Sequence, residues 1–299
     1  MHPDLLKEGQ ALVAPRQRTR RHFLVAASAA GLAGGFATAA QPVLAQAIQT
    51  DFSGIEGKEV VIDSHGTQLP AYVSRPDKRG DKPPVIIVVS EIFGVHEYIA
   101  DVTRRLAKAG YMAIAPEFFT RAGDPTELGT VGEILTQIVA KTPDHQVLSD
   151  IEAAIQWAAQ HGGDTQRVGI TGFCWGGRIT WLACEKLAGI NAGVAWYGRL
   201  VGEKSAEFPE NPIDLAGSLK APVLGLYGGQ DTGIPTTTIA QMKAALTAAK
   251  TNQAALTSRF EIYPDAPHAF HADYRASYQE GPARDGWEKT LKWFAAQGV

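Results

Sequence analysis

Short apolar runs alternate with segments of helical period along most of this chain, and that alternation constrains the fold more than any other feature. "PPVIIVVS" is a continuous apolar stretch such as a strand buried on both faces would show. "YMAIAP", "RVGIT", "AGVAWYG", "PVLGLYG" and "RFEIYP" also read as strands. Between and around them lie helical segments: "HEYIADVTRRLAKAG", closed by Gly110 as a C-cap, then "VGEILTQIVAKT", "HQVLSDIEAAIQWAAQHGG", a helix from Gly176, "TTTIAQMKAALTAAK" and the closing "DGWEKTLKWFAAQ". Ahead of these, "EVVID" and "LPAYVSRP" flank His65-Gly66-Thr67 and predict a hairpin. Strands separated by helices predict an α/β fold, a mostly parallel sheet with helices on both faces. No linker divides residues 46–299, so they read as one domain.

The first 45 residues read as an address. Arg16 to Arg21 form a basic patch ahead of a weakly apolar run rich in Ala and Gly, and Val43, Ala45 and Ala47 suit a signal peptidase. Thr19-Arg20-Arg21-His22-Phe23-Leu24 resembles the twin-arginine export motif, which implies passage through that machinery and a mature chain beginning near Gln46 in the periplasm. The alternative is an uncleaved anchor, disfavoured by Gly31, Gly34, Gly35 and Pro42 within the run. Beyond the leader, 23 basic residues face 29 acidic ones, which excludes a nucleic-acid footprint.

Ligands of open α/β sheets bind beyond the carboxyl ends of the strands, so the residues that follow each strand form a set. Glu91-Ile92-Phe93-Gly94 follows "VIIVVS", Cys174 follows "RVGIT" within "GFCWGG", Asp231 follows "PVLGLYGG", and His268 follows "RFEIYPDAP". Nucleophile, acid and histidine occur in the chain order of α/β hydrolases. Glycines around Cys174 suit a nucleophile held on a sharp strand-to-helix turn. The helix that starts there offers positive partial charge and free N–H groups, so Trp175 N–H and Ile92 N–H are the expected oxyanion donors. Phe93 and Tyr197 stand near enough to the rim to line a pocket; Trp287 and Trp293 read as core residues of the last helix.

Cys174 and Cys184 are ten residues apart on one predicted helix, roughly 15 Å at a rise of about 1.5 Å per residue, so they cannot pair. Cys184 reads as a buried filler and Cys174 as a free thiol with a working role.

"SEIFGV", "GFCWGG", "YGGQDTGIP" and "YPDAPHAFHADY" together resemble the dienelactone hydrolases, the cysteine-dependent branch of the α/β hydrolases, from about residue 56 to the C-terminus. The resemblance implies an α/β-hydrolase fold, Cys174 as nucleophile, His268 as base, Asp231 as the acid that orients it, and Glu91 as the carboxylate that takes the thiol proton when substrate binds. It implies no metal or cofactor and a small ester or enol-lactone as substrate; the chain is separately expected to be a monomer. One departure stands out. Family members hold the substrate carboxylate with an arginine a few residues past the histidine, whereas here the first arginine after His268 is Arg275.

Three other readings compete with the esterase. A periplasmic carboxylesterase of unrelated substrate would share the same site. An inert binding protein on a hydrolase scaffold is disfavoured by the intact Cys174, Asp231 and His268, and a thiol-redox protein by the lack of a resolving cysteine within reach. His268 and His271 could serve as a metal pair, but no neighbouring Cys, Asp or Glu completes a zinc set.

Overall fold

The computed structural model describes residues 47–77 and 82–299; the leader and its cleavage site lie outside the described residues. Among the described residues, eight strands form one sheet in the order β1-β2-β4-β3-β5-β6-β7-β8. β1 (Ile55–Ser64) and β2 (Thr67–Pro76) form the expected hairpin. Its two-residue turn, His65-Gly66, has φ of 52° and 84°, the positive pair that a tight right-twisted hairpin demands. β1–β2 and β2–β4 (Met112–Pro116) pair antiparallel, and the remaining pairings, among β3 (Pro84–Val89), β4, β5 (Asp164–Phe173), β6 (Ala192–Trp196), β7 (Val223–Gly228) and β8 (Arg259–Tyr263), are parallel.

Both faces are covered by helices, among them α1 (Glu97–Lys108), α2 (Asp144–Gln160), α3 (Trp175–Lys186), α4 (Thr236–Ala248) and α5 (Glu280–Ala296). Val85 to Val89 are completely buried, as the unbroken apolar run of β3 predicts. Gly110, just past α1, has a φ of 102°, the left-handed geometry of a helix-ending glycine. Below the sheet's carboxyl rim, Phe173 stacks on Trp196 at 5.7 Å.

Three helices differ from expectation. α3 begins at Trp175, one residue before Gly176. α5 begins at Glu280, five residues before Asp285, because Pro282 sits in the first turn, where its missing N–H costs no helical hydrogen bond. The segment from Val131 is no single α-helix: a short turn at Val131–Glu133 widens into a π-helix at Ile134–Ile138 and tightens into a 3-10 turn at Val139–Lys141. Its many β-branched residues favour a regular helix poorly. Trp287 and Trp293 are half-buried against the core rather than within it.

The chain leaves β3 for β4 on one side and later enters β5 on the other, so a topological switch point lies between β3 and β5. Val89 pairs with Gly172 across that gap. Glu91 and Cys174, each two residues further on, therefore emerge side by side.

Candidate active site

β5 passes into α3 through Cys174 with no intervening loop. Cys174 adopts φ 56° and ψ −113°, while its N–H donates to the Trp196 carbonyl at 3.0 Å and its own carbonyl accepts from Gly177 N–H at 3.0 Å. So tight a turn explains the glycines. A Cβ on Gly172 would stand 2.2 Å from the Gly176 carbonyl oxygen, and one on Gly176 would stand 2.3 Å from the Val89 carbonyl oxygen. Of the non-glycine residues at positive φ among those described, His65 belongs to the hairpin, and Cys174, Tyr197 and Ala269 all belong to this rim. Each such residue stores roughly 1–3 kcal/mol, which the surrounding packing must hold in place.

Asp231 and His268 are brought together as expected. His268 Nδ1 donates to Asp231 Oδ2 at 2.6 Å, and Asp231 Oδ1 accepts from the N–H groups of Gly233 at 2.9 Å and Ile234 at 3.1 Å. Asp231 Oδ1, Asp231 Oδ2 and His268 Nδ1 are thus fixed by main chain or by each other, which leaves only His268 Nε2 facing the rim. His268 Nε2 is buried and forms no well-aligned hydrogen bond, yet Cys174 is close enough to act on the ring's charge. Burial works against a charged imidazole here, but the Cys174 charge first and the Asp231 hydrogen bond next outweigh it, and His268 is pushed up to about 10.

Glu91 is completely buried. Its Oε2 accepts from the Tyr274 hydroxyl at 2.6 Å and faces Arg275 Nη2 at 3.5 Å, while Oε1 has no hydrogen-bond partner. Arg275 Nε donates to the Tyr274 hydroxyl at 3.1 Å, and its guanidinium lies 5.0 Å from the centre of the Phe93 ring. Desolvation opposes the charge of Arg275, but Glu91 more than offsets it and holds the guanidinium well above its ordinary value. Phe93 is half-buried beneath that cation. Tyr197 is fully buried with its ring centre 5.1 Å from that of His268 in an edge-to-face arrangement, and its hydroxyl has no hydrogen-bond partner among the described residues. Burial above all raises that phenol, with Glu91 and Cys174 adding to it.

Ile92 lies just beyond β3 and Trp175 opens α3 directly after Cys174, so both N–H groups belong to the rim that carries the thiol. Among the described residues no backbone carbonyl accepts from either. The loop carrying Ile92 is held by Glu117, whose Oε2 accepts from Val95 N–H at 2.8 Å. The Trp175 ring packs 4.8 Å from Phe119. His271 does not join His268: its Nδ1 meets the Tyr98 hydroxyl at 2.6 Å, and burial lowers it well below the ordinary histidine range. Among the described residues no three His, Cys, Asp or Glu side chains gather as a metal set. Cys184 is fully buried, with its thiol raised by desolvation.

Tyr274 and Arg275 are the residues that sequence reasoning did not place. Seven positions separate His268 from Arg275, but successive turns, Ala272 N–H to the Ala269 carbonyl at 3.0 Å and Arg275 N–H to the Ala272 carbonyl at 2.9 Å, coil that path back over the rim. The signal available was Arg275 as the first arginine after the histidine.

These features find counterparts in known proteins. Residues 69–298 match the model of the dienelactone hydrolase family. A protein of Methylorubrum extorquens named "Putative carboxymethylenebutenolidase" is 54% identical over 273 residues, covering 91% of this chain and 92% of its own. One of Escherichia coli K12 with the same name is 49% identical, covering 88% and 96%. The crystal structure of a "Putative Dienelactone Hydrolase" from Klebsiella pneumoniae is 52% identical, with a TM-score of 0.78, and covers 81% of this chain and 98% of its own. A dienelactone hydrolase-like phosphotriesterase from metagenomic libraries, at 19% identity and a TM-score of 0.66, shares the fold. With the tight strand-to-helix turn at Cys174, the mostly parallel sheet and matches of this extent, the chain belongs to the dienelactone hydrolase family of α/β hydrolases.

Proposed function

We propose that the protein hydrolyses a small ester or enol-lactone through a cysteine acyl-enzyme in the periplasm, after export by the twin-arginine route. The observation that carries this reading is Cys174 at positive φ on the N-terminus of α3, beside a histidine that Asp231 orients. In the first step Cys174 Sγ attacks the carbonyl carbon, and the oxygen that gains charge meets Ile92 N–H and Trp175 N–H; the C–O bond then breaks to leave the thioester, and the departing oxygen takes the proton that Glu91 has drawn from the thiol. Glu91 accepts the thiol proton as substrate arrives. In the second step His268 takes a proton from water, whose oxygen attacks the thioester, and the acid leaves while Cys174 regains its proton.

The charge balance at His268 supports that division. The thiolate that Glu91 leaves at Cys174 is the largest influence raising the imidazole. Acylation removes that charge, so the ring loses its strongest reason to stay protonated and becomes a base when water must be activated.

Arg275 favours a substrate that carries a carboxylate. It is a buried cation on the Phe93 face, and an incoming carboxylate would compete with Glu91 for it. Glu91 would then be left to the thiol. A panel of esters and lactones, acidic and neutral, tests this together with intact-mass detection of an adduct on Cys174. Acylation at another residue, or no turnover of any member, would overturn it. For location, expression with the leader should give a periplasmic chain beginning between Gln46 and Ile48. Replacing Arg20 and Arg21 by lysine should block export; full-length protein confined to the cytoplasm would refute the route.

A further inference from the structure

Residues 47–50 precede β1 and lie ahead of the span matched to the family, yet they are tied to the loop that holds Glu91. Thr50 N–H donates to Asp101 Oδ1 at 2.6 Å, with the Thr50 hydroxyl 3.3 Å from Oδ2, and Ile48 N–H donates to Asp273. Asp101 and Asp273 are both almost fully buried, at 1% and 2% exposure, and Arg105 bridges them, binding Asp101 through Nε and Asp273 through Nη2. Asp273 is bonded in sequence to Tyr274, whose hydroxyl donates to Glu91. The Tyr274 ring rests against His96 at 4.9 Å and Tyr98 at 5.2 Å. A cavity of about 20 Å³, enough for about one water, separates residues 47–49 from His96, Tyr98, Asp273 and Tyr274.

We propose that residues 47–50 are a positioning arm for the active site: the N–H groups of Ile48 and Thr50 complete the Asp273–Arg105–Asp101 bridge and so fix Tyr274 and Arg275 where they hold Glu91 in its working position. The inference rests on the reading of Glu91 as the acceptor of the thiol proton. A buried carboxylate that loses a donor either moves toward another or drags its neighbours with it, because bonds to buried charges are expensive to leave unmade. Here the neighbour is Tyr274. If Tyr274 shifts, Glu91, whose Oε1 already lacks a partner, loses the hydrogen bond that fixes its carboxylate in position beside the thiol. The arm acts through Glu91 and touches no reacting atom.

Proline removes an N–H without shortening the chain. In the full-length protein, Thr50→Pro and Ile48→Pro should each slow single-turnover acylation of Cys174 by p-nitrophenyl acetate by roughly 3–30-fold, the size expected when a positioned group is loosened rather than lost. Gln49→Ala, at an exposed position within the arm, should acylate at the parent rate. The decisive measurement repeats the proline variants in a Glu91→Gln background, where their effect should vanish. Persistence of the same factor there would show that the arm acts elsewhere, and unchanged acylation with only a lowered Tm would reduce it to a structural tether; either result overturns the proposal. If Glu91→Gln alone leaves acylation unchanged, the proton-acceptor reading fails first, and any effect of the arm must then be reassigned. Should Ile48→Pro fold poorly, Thr50→Pro carries the test alone.

Discussion

The two sides of the catalytic rim are built from different materials. On the His268 side, Asp231 accepts from two backbone N–H groups and from the imidazole, and the Cys174 backbone is bonded to Trp196. On the Glu91 side the carboxylate is held by Tyr274 and Arg275, side chains that lie more than 180 residues further along the chain, and one of its oxygens is unpartnered. Main-chain bonds fix a group in one place, because the backbone cannot turn away without breaking its sheet or helix. Side-chain bonds allow an exchange of partners. In the proposed mechanism this arrangement couples a rigid nucleophile and base to a carboxylate that is released when something else takes its cation.

The largest effect tests the rigid side. Cys174→Ala should abolish turnover, a loss of roughly 10⁴-fold or more, while circular dichroism and Tm stay near the parent, since Ala fits wherever Cys does at this turn. Appreciable activity in that variant would mean that the nucleophile lies elsewhere. The same variant bears on His268. With its folded value raised to about 10 from about 6.5, the imidazole contributes stability that is fully present below about pH 6.5 and lost as pH rises through about 10. Removing the Cys174 charge should lower the imidazole titration, seen by NMR, and move the upper end of that window down. A titration unmoved by Cys174→Ala would show that Asp231 alone sets it.

The next effect tests the exchangeable side. Glu91→Gln preserves size and most hydrogen bonding but removes the proton acceptor. Acylation should slow by roughly 10²–10⁴-fold and recover partly as pH rises and hydroxide takes over as proton acceptor, while deacylation, which depends on His268, changes little. Pre-steady-state acylation with a chromogenic ester at several pH values separates the two steps. An unchanged acylation rate would leave His268 as the acceptor and make the two sides one.

This difference in material also decides what could be read from the sequence. The elbow was legible because its glycines are local to Cys174, and the order of Cys174, Asp231 and His268 follows from strands whose apolar runs are continuous. Glu91 and Ile92 were legible as the residues after β3. Tyr274 and Arg275 were not, because their approach depends on consecutive turns after Ala269 that carry no glycine or proline to announce them. The π-helix at Ile134–Ile138 escaped for a related reason: its apolar spacing is helical, and only packing selects the wider turn.

The smallest effect provides the control that neither side shares. Cys184 lies on the helix that Cys174 caps, nearly three turns beyond the rim, and its Sγ packs so closely on β6 that a Cβ at Gly193 would stand 2.6 Å from it. Desolvation raises this thiol well above the ordinary range, so it stays neutral and unreactive. Cys184→Ala removes one buried sulfur and leaves a small cavity, a loss of about 1–2 kcal/mol and a fall in Tm of roughly 2–8 °C for a domain of this size. Acylation of Cys174 should remain at the parent rate, because β5 and β6 hold the elbow through backbone bonds that the cavity does not touch. Differential scanning calorimetry and the chromogenic ester together report both quantities. Equal loss of activity in Cys184→Ala and Cys174→Ala would mean that packing beneath α3, rather than the thiol at its start, accounts for both.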